Sequence, residues 1–312
     1  MNNILYPMQF NPVVKTKPWG GELWTLSDVD GSQTLVANGD LAGNNLSELT
    51  EIFMDDFVGE NVFKPKEFQF GVLVKIISAI DKLSVQVHPN DEIAQKKGFK
   101  NGKSEMWYIL DADPGSFIVA GFNKKITYAE FKKRLENNSL IDVLSIIPVK
   151  KNDVIYIPAG LIHAIGPNIL LAEIQQTSDV TYRVFDWNRK DENGNSRELH
   201  VNEAIDAIDF DMHHIEMFSI PDGNTPLNLE LFNKNWSNTI FKRVVNPINC
   251  NYSYYDSYVI LVFLKGKGTI KYKNMDINYT VGSSILIPAS ISDFKLIPHT
   301  DTEFIEVYKT KS

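Results

Sequence analysis

The sequence predicts a mainly β protein built from two copies of one β-sandwich or barrel fold, with a few short helices in its N-terminal half. Three observations carry this expectation. Short apolar and β-branched runs recur at regular spacing with turn residues between them, most densely from Tyr258 to Tyr308. Leu83 to His88 alternates apolar and polar residues, the period of a strand with two unlike faces. Finally, Asp153-Val-Ile-Tyr-Ile-Pro-Ala-Gly-Leu-Ile-His163 aligns with Ser283-Ser-Ile-Leu-Ile-Pro-Ala-Ser-Ile-Ser-Asp293. A strand–turn–strand unit is thus repeated, with His163 in the first copy where the second has Asp293.

The elements follow in chain order. Lys15 to Trp24 holds a proline, two adjacent glycines and two tryptophans, which predicts a shaped aromatic loop before a strand that either lines a pocket through Trp19 or packs as a turn on the core. Leu46 to Val58 has helical spacing with Ser47 as its expected cap. Phe70 to Ile80 reads as a buried strand, and Asp81-Lys82 turns into the alternating stretch. There Leu83, Val85 and Val87 face a core while Ser84, Gln86 and His88 share the other face. Pro89 ends that strand because it has no N–H to give a ladder, and Asn90 or Asp91 caps a short helix. Lys103 to Leu110 and Ser116 to Gly121 flank Asp113-Pro114-Gly115 and read as a hairpin. Thr127 to Leu144 carries an apolar face of Tyr128, Phe131, Leu135, Ile141 and Leu144 and is the best helical segment.

Strands are expected at Leu170 to Gln176 and Tyr182 to Trp187, a polar turn at Asp191 to Asn195, and a short helix from His200 to Ile208. Pro, Gly and Asn accumulate from Ser219 to Leu229, which places a domain boundary there and divides the chain into 1–225 and 226–312. The second part is nearly all strand. Tyr258 to Leu264, Lys265-Gly-Lys-Gly268 and Thr269 to Lys273 read as a second hairpin.

Composition narrows the function. The chain has 312 residues, enough for two domains, and 43% hydrophobic residues, which excludes a disordered chain. No apolar run is long enough for a membrane helix. Met1 to Pro7 lacks a basic region followed by an apolar stretch, so no signal peptide is expected. The single cysteine, Cys250, leaves no internal disulfide framework and points to a reducing, cytoplasmic compartment. A formal net charge of −8 argues against a nucleic-acid partner but leaves room for a small anion held by a local Lys/Arg cluster.

The candidate metal ligands are Gln86, His88, Glu105 and His163, each at a strand edge or start. Two His with one Glu is an established catalytic donor set that leaves coordination positions open. A second group surrounds Glu173 and Arg183, charged residues in apolar strands where burial is costly without a partner. They form either a Glu173–Arg183 or Asp186–Arg183 ion pair, or an acid–base group with a cation for anionic oxygens.

Four segments in this order look like the signatures of type I mannose-6-phosphate isomerases in their short bacterial form. They are Ser84-Val-Gln-Val-His-Pro-Asn-Asp91, Gly102-Lys-Ser-Glu-Met-Trp-Tyr108, Ile157-Pro-Ala-Gly-Leu-Ile-His163 and Glu173-Ile-Gln-Gln-Thr-Ser-Asp-Val-Thr-Tyr-Arg183. The resemblance implies two cupin-type jelly-roll β-barrels, the first catalytic with helical insertions and the second degenerate. It implies one Zn²⁺ per chain and interconversion of mannose 6-phosphate and fructose 6-phosphate. The family's zinc ligands fall on Gln86, His88, Glu105 and His163, its essential arginine on Arg183, and its pocket serine, lysine and acid on Ser84, Lys103 and Glu173. A further basic residue of larger members falls at Arg189. The alternative is a metal-binding cupin that senses or scaffolds sugars without turnover. The expected partner is a sugar phosphate, with no nucleic acid and no membrane, in a monomer or homodimer.

Overall fold

The computed structural model describes residues 4–212 and 215–309. Strands dominate, and the α-helices among the described residues are short: Leu46–Val58, Asp91–Lys96, Tyr128–Glu136 and Val201–Ala207. The chain clusters into two compact units. One comprises Lys15–Glu22 and Ile76–Pro221, the other the segment ending at Val14, Leu23–Lys75 and the chain from Asp222 on. The change near 222 lies where Pro, Gly and Asn accumulate. A single cut at 225 nevertheless misplaces much of the N-terminal chain, because Met8 and Gln9 pair with Leu286 and Ile285. Long-range strand pairing of that kind leaves no mark in local sequence.

The unit containing Ile76–Pro221 is a sandwich. One sheet runs Met217–Ser219, Asp153–Ile157, Glu105–Ala112, Ile169–Gln176, and then takes in this unit's own share of the strands Val72–Ala79, Gly20–Leu26 and Val13–Lys17. The other runs Tyr182–Phe185, Val85–Val87, His163–Ile165, Phe117–Phe122, Leu144–Pro148. Trp107, Ile109, Ile155, Ile157 and Leu171 of the first sheet pack against Ile118, Ala120 and Ile165 of the second. The far face of the second sheet, with Val85, Val87, Val119 and Val184, is covered by Phe131, Leu140, Val143, Ala204 and Ala207 from helical segments. Because a strand alternates its faces, that covering forces Ser84, Gln86 and His88 toward the space between the sheets.

The other unit repeats this plan. Its larger sheet runs Leu227–Lys234, Ser237–Val244, Thr302–Tyr308, Val259–Lys265, Ser284–Ile287, Met8–Asn11, Leu35–Val36. Its smaller sheet runs Ile248–Asn251, Asp293–Pro298, Gly268–Tyr272, Met275–Tyr279. From Val85 and from Ile248 onward, seven successive strands distribute between the two sheets in the same order. Phe263 of the larger sheet stacks on Tyr279 of the smaller with ring centroids 3.9 Å apart.

This plan corrects both expected hairpins. Glu105–Ala112 and Phe117–Phe122 lie in different sheets, as do Val259–Lys265 and Gly268–Tyr272. Their glycine turns carry the chain across the sandwich rather than back along one sheet. Each unit is thus a pair of sheets, an arrangement compatible with the jelly-roll expectation. Helix boundaries shift as well. Leu46–Val58 is capped by Asn45 in a capping box with Glu48, not by Ser47, whose hydroxyl donates to Asp28. The Thr127–Leu144 helix stops at Glu136, because Asn138 takes a positive φ of 53° and a short 3₁₀ turn, Leu140–Val143, follows.

Candidate metal centre and active site

His88, Glu105 and His163 come from three strand ends and meet between the two sheets of one sandwich. They form the one group of metal-ligating side chains found among the described residues, with ligand atoms within 4.8 Å of one another. All three are buried. His88 Nε2 lies 3.2 Å from Glu105 Oε1, and His163 Nε2 lies 4.0 Å from Glu105 Oε2. The imidazole centroids are 4.8 Å apart.

Local backbone chemistry builds this convergence. Pro89 releases the chain just after His88, and Asn90 caps the following helix by accepting from Ile93 N at 2.9 Å. Gly102 passes so close to that turn that a Cβ would lie 2.5 Å from the Asn90 carbonyl carbon. Lys103 N then donates to Pro89 O at 3.0 Å, which sets the start of the Glu105 strand beside His88. Across the site, Gly160 takes a φ of +91°, open to glycine but strained for other residues, and donates its N–H to His88 O at 2.9 Å. The Pro-Ala-Gly turn is therefore fastened to one ligand's backbone while it delivers the other ligand.

Both imidazoles are fixed from behind. His88 Nδ1 donates to Val180 O at 2.9 Å and His163 Nδ1 donates to Leu161 O at 2.8 Å. Carbonyls only accept, so each Nδ1 carries the proton and each Nε2 presents a lone pair toward Glu105. Burial, with help from the Lys103 ammonium, pushes His88 down to about 3, and burial also lowers His163. Both rings are neutral at physiological pH. Burial by itself would raise the Glu105 carboxyl, but the Lys103 ammonium, 2.9 Å from Oε1, outweighs it and holds that carboxyl well below its usual range. Two neutral imidazole nitrogens and a carboxylate, each held by a second contact, are a donor set suited to a divalent metal ion.

The other expected residues distribute around this group. Lys103 Nζ, almost fully buried, lies 2.9 Å from Glu105 Oε1 and 3.2 Å from His88 Nε2. Gln86 sits directly opposite His163 in the ladder and turns its Nε2 toward His163 Nε2 at 3.4 Å, while its Oε1 accepts from Ser84 Oγ at 3.3 Å. Glu173 is buried opposite Trp107, in the strand next to Glu105. Arg183 sits opposite Gln86 on its other side, so Arg183, Gln86 and His163 line up across three strands on one face. Its Nη1 donates to Glu198 O at 2.7 Å. Burial and the neighbouring Arg197 lower the Arg183 guanidinium from its ordinary value. Asp186 pairs with Arg189 at 3.3 Å and Arg197 at 3.4 Å. Trp19 is buried in the core with Leu83, and the Arg197 guanidinium lies 4.9 Å over its ring.

Two residues here were not singled out in the sequence. Arg197 stands in a polar loop with nothing local to mark it. Trp107 was findable, since strand alternation puts it on the same face as Glu105.

The fold and the site together define a β-rich protein with a buried two-imidazole, one-carboxylate group at the heart of one sandwich. Comparison with known proteins gives that class its family. The description "Phosphomannose isomerase type I, catalytic domain" matches residues 5–129. Mannose-6-phosphate isomerase ManA of Bacillus subtilis (strain 168) is 31% identical over 93% of this chain and 95% of that protein. A mannose-6-phosphate isomerase of Streptococcus mutans is 38% identical over 60% of this chain and 58% of its own. The chain belongs to the type I phosphomannose isomerase family. The crystal structure of the Bacillus subtilis mannose 6-phosphate isomerase superposes with a TM-score of 0.84 at 25% identity, covering 97% of this chain and 99% of that one. A putative mannosephosphate isomerase from Archaeoglobus fulgidus shares the fold, with a TM-score of 0.76 at 19% identity over 97% and 98% of the two chains. No helix among the described residues is long and apolar enough to cross a membrane.

Proposed function

We propose that this chain is a zinc-dependent aldose–ketose isomerase that interconverts mannose 6-phosphate and fructose 6-phosphate by proton transfer through an enediolate. One observation supports this above all: two imidazoles, each held through Nδ1, turn their Nε2 atoms to a single buried carboxylate in a chain of this family. His88, Glu105 and His163 would hold one ion per chain. Gln86 would join as a neutral donor if its amide oxygen, rather than its nitrogen, faced the ion. When bound, a divalent ion supplies positive charge that polarises the sugar oxygens at C1 and C2.

The chain's own residues do the rest. Glu173 is the base that takes the C2 proton and returns it to C1, its buried carboxylate held opposite Trp107 in the strand beside Glu105. Arg183 contributes fixed positive charge where the enediolate or phosphate oxygens lie, its buried Nε having no hydrogen-bond partner among the described residues. Lys103 balances Glu105 and offers N–H groups to a sugar hydroxyl, and Ser84 offers its own hydroxyl from the facing sheet. Trp19, packed in the core beneath the Arg197 guanidinium, supports the sugar-binding side from behind, with Arg189 as a further cation. The half that carries these residues is the catalytic domain, and the other is a degenerate copy of it. A sugar-phosphate substrate and a single free thiol at Cys250 fit a cytoplasmic enzyme.

The test is a coupled assay on mannose 6-phosphate with metal analysis of the same preparation. Turnover that disappears with EDTA and returns with Zn²⁺ supports the reading. Sugar-phosphate binding without conversion in zinc-replete protein overturns it.

A further inference from the structure

The indole of Trp107 touches three members of the site at once. Its Nε1–H lies 2.9 Å from Glu105 Oε2 and 3.0 Å from Glu173 Oε2, so one donor is shared between two carboxylates. Its ring meets the His163 imidazole edge-on, with centroids 5.6 Å apart. The sequence dictates this placement. Trp107 follows Glu105 by two positions and shares its face, and the ladder sets Glu173 directly opposite Trp107. At 1% exposure, water cannot take over the N–H contact.

We infer that Trp107 is a positioning residue whose single N–H fixes both the metal-ligating Glu105 and the proton-transferring Glu173. This inference rests on the function proposed above. Glu105 has two oxygens with different duties. Oε2 accepts from the indole, which leaves Oε1 turned to His88 Nε2 and Lys103. An anchored ligand binds metal more tightly than one that must be ordered on binding, and loss of such a partner typically weakens affinity about 10–100-fold. Glu173 gains from the same hydrogen. Two carboxylates this close repel, and a donor between them offsets that repulsion while holding each in one rotamer. The indole thereby couples the ion's site to the base's site, and its edge keeps His163 from rotating out of line.

The inference has a clean test in two substitutions that spare the packing. Trp107→Phe keeps an aromatic ring among Ile77, Ile155 and Leu171 and removes the N–H. Benzothienylalanine placed at position 107 keeps the full two-ring shape and removes only that donor. Zn²⁺ affinity, read by competition with a chromogenic chelator, is expected to fall about 10-fold or more in both proteins. With zinc saturating, kcat falls while KM for mannose 6-phosphate stays within about two-fold of wild type, since the indole touches the base and not the sugar. A packing role alone would lower the melting temperature of the Phe protein and leave the benzothienyl protein unchanged throughout. Wild-type zinc affinity and kcat in the benzothienyl protein therefore overturn the inference, even if the Phe protein fails to fold. Failure of the proposed function would show elsewhere, as absent turnover in the unsubstituted chain, while the zinc titration still reports on Glu105.

Discussion

Where one half of this chain carries His163, the other carries Asp293, each opening a strand after an Ile-Pro-Ala turn. His163 lies opposite Gln86 and is fully buried, whereas Asp293 lies opposite Asn251, is exposed, and accepts from Asn251 Nδ2 at 2.7 Å. The comparison extends across the larger sheets. Glu105 sits between Ile157 and Gln175, and Val259 occupies the same place between Ile287 and Tyr308. Trp107 faces Glu173, while Leu261 faces Glu306. The backbone plan is kept and the donors are gone, with one exception. Glu306 retains a buried carboxylate at the position of Glu173. Without an indole beside it, that carboxylate accepts from Tyr252 and Tyr255 and lies 2.7 Å from Lys242 Nζ. One interior presents lone pairs that converge on a point; the other satisfies its buried carboxylate internally. The difference teaches that the His–Glu–His group occupies a handful of inward positions on a scaffold that folds without them.

Breaking the comparison at its strongest point means changing the two carboxylates in parallel. Glu105→Gln keeps shape and removes the anionic donor. It is expected to weaken metal binding by more than the 10–100-fold typical of an outer partner and to abolish measurable turnover. Glu306→Gln, in the other half, is expected to cost about 1–3 kcal/mol of stability through its charged hydrogen bonds and to leave metal content unchanged. Metal analysis of both purified proteins decides the matter. Loss of metal from Glu306→Gln would mean that the second interior is not independent of the first.

Arg183→Ala is next in size. Arg183 aligns with Gln86 and His163 across the ladder but stands outside the His–Glu–His group, so zinc content should stay at wild type. Turnover should fall about 10²–10³-fold, the usual effect of losing one fixed donor to a developing anion. Near wild-type kcat would remove Arg183 from the chemistry.

Much of this site could be read in the sequence, for a definite reason. His88, Glu105 and His163 stand beside Pro89, Gly102 and the Pro-Ala-Gly turn, and residues that break strands also mark where side chains are delivered to a sandwich mouth. The echo of 153–163 in 283–293 disclosed the repeat, because a strand–turn–strand unit is local. Partnership across the sandwich is not local. Nothing near Met8 says that it pairs with Leu286, nothing at Asp113-Pro-Gly115 says that its turn changes sheets, and nothing near Arg197 places it over Trp19. Trp107 lay between these cases: alternation gave its face, while its two hydrogen bonds needed the register of a strand more than sixty residues away.

The two interiors should also titrate at opposite ends of the pH scale. His88, pushed down to about 3, and His163, also lowered by burial, bind fewer protons folded than unfolded, where the ordinary value is near 6.5. In chelator-treated protein their contribution is full above about pH 6.5 and is lost as pH falls toward 3. In the other half, burial, reinforced by Glu306, pushes the Cys250 thiol up to about 12 and raises Tyr252 well above its ordinary value. These groups stay protonated in the fold after the unfolded chain has lost the proton. Their contribution is full below about pH 8.5–10 and is lost as pH rises. Urea unfolding across the pH range should therefore show stability declining at both ends, by up to about 1.4 kcal/mol per pH unit for each group. His88→Gln should flatten the acid side alone and Tyr252→Phe the alkaline side alone.

Tyr252→Phe is also the mildest test of what separates the halves. The substitution removes one hydrogen-bond donor to Glu306 and leaves Lys242 Nζ at 2.7 Å and the Tyr255 hydroxyl at 3.4 Å to satisfy the carboxylate. The ring's contact with Phe294, at a centroid distance of 5.4 Å, is unchanged by loss of the hydroxyl. A cost of about 1–2 kcal/mol is expected from urea unfolding at neutral pH, because a buried charged acceptor loses one donor but is not orphaned. Zinc affinity and kcat should match wild type. A change in either would show that the closed polar interior of the second half acts on the open one of the first.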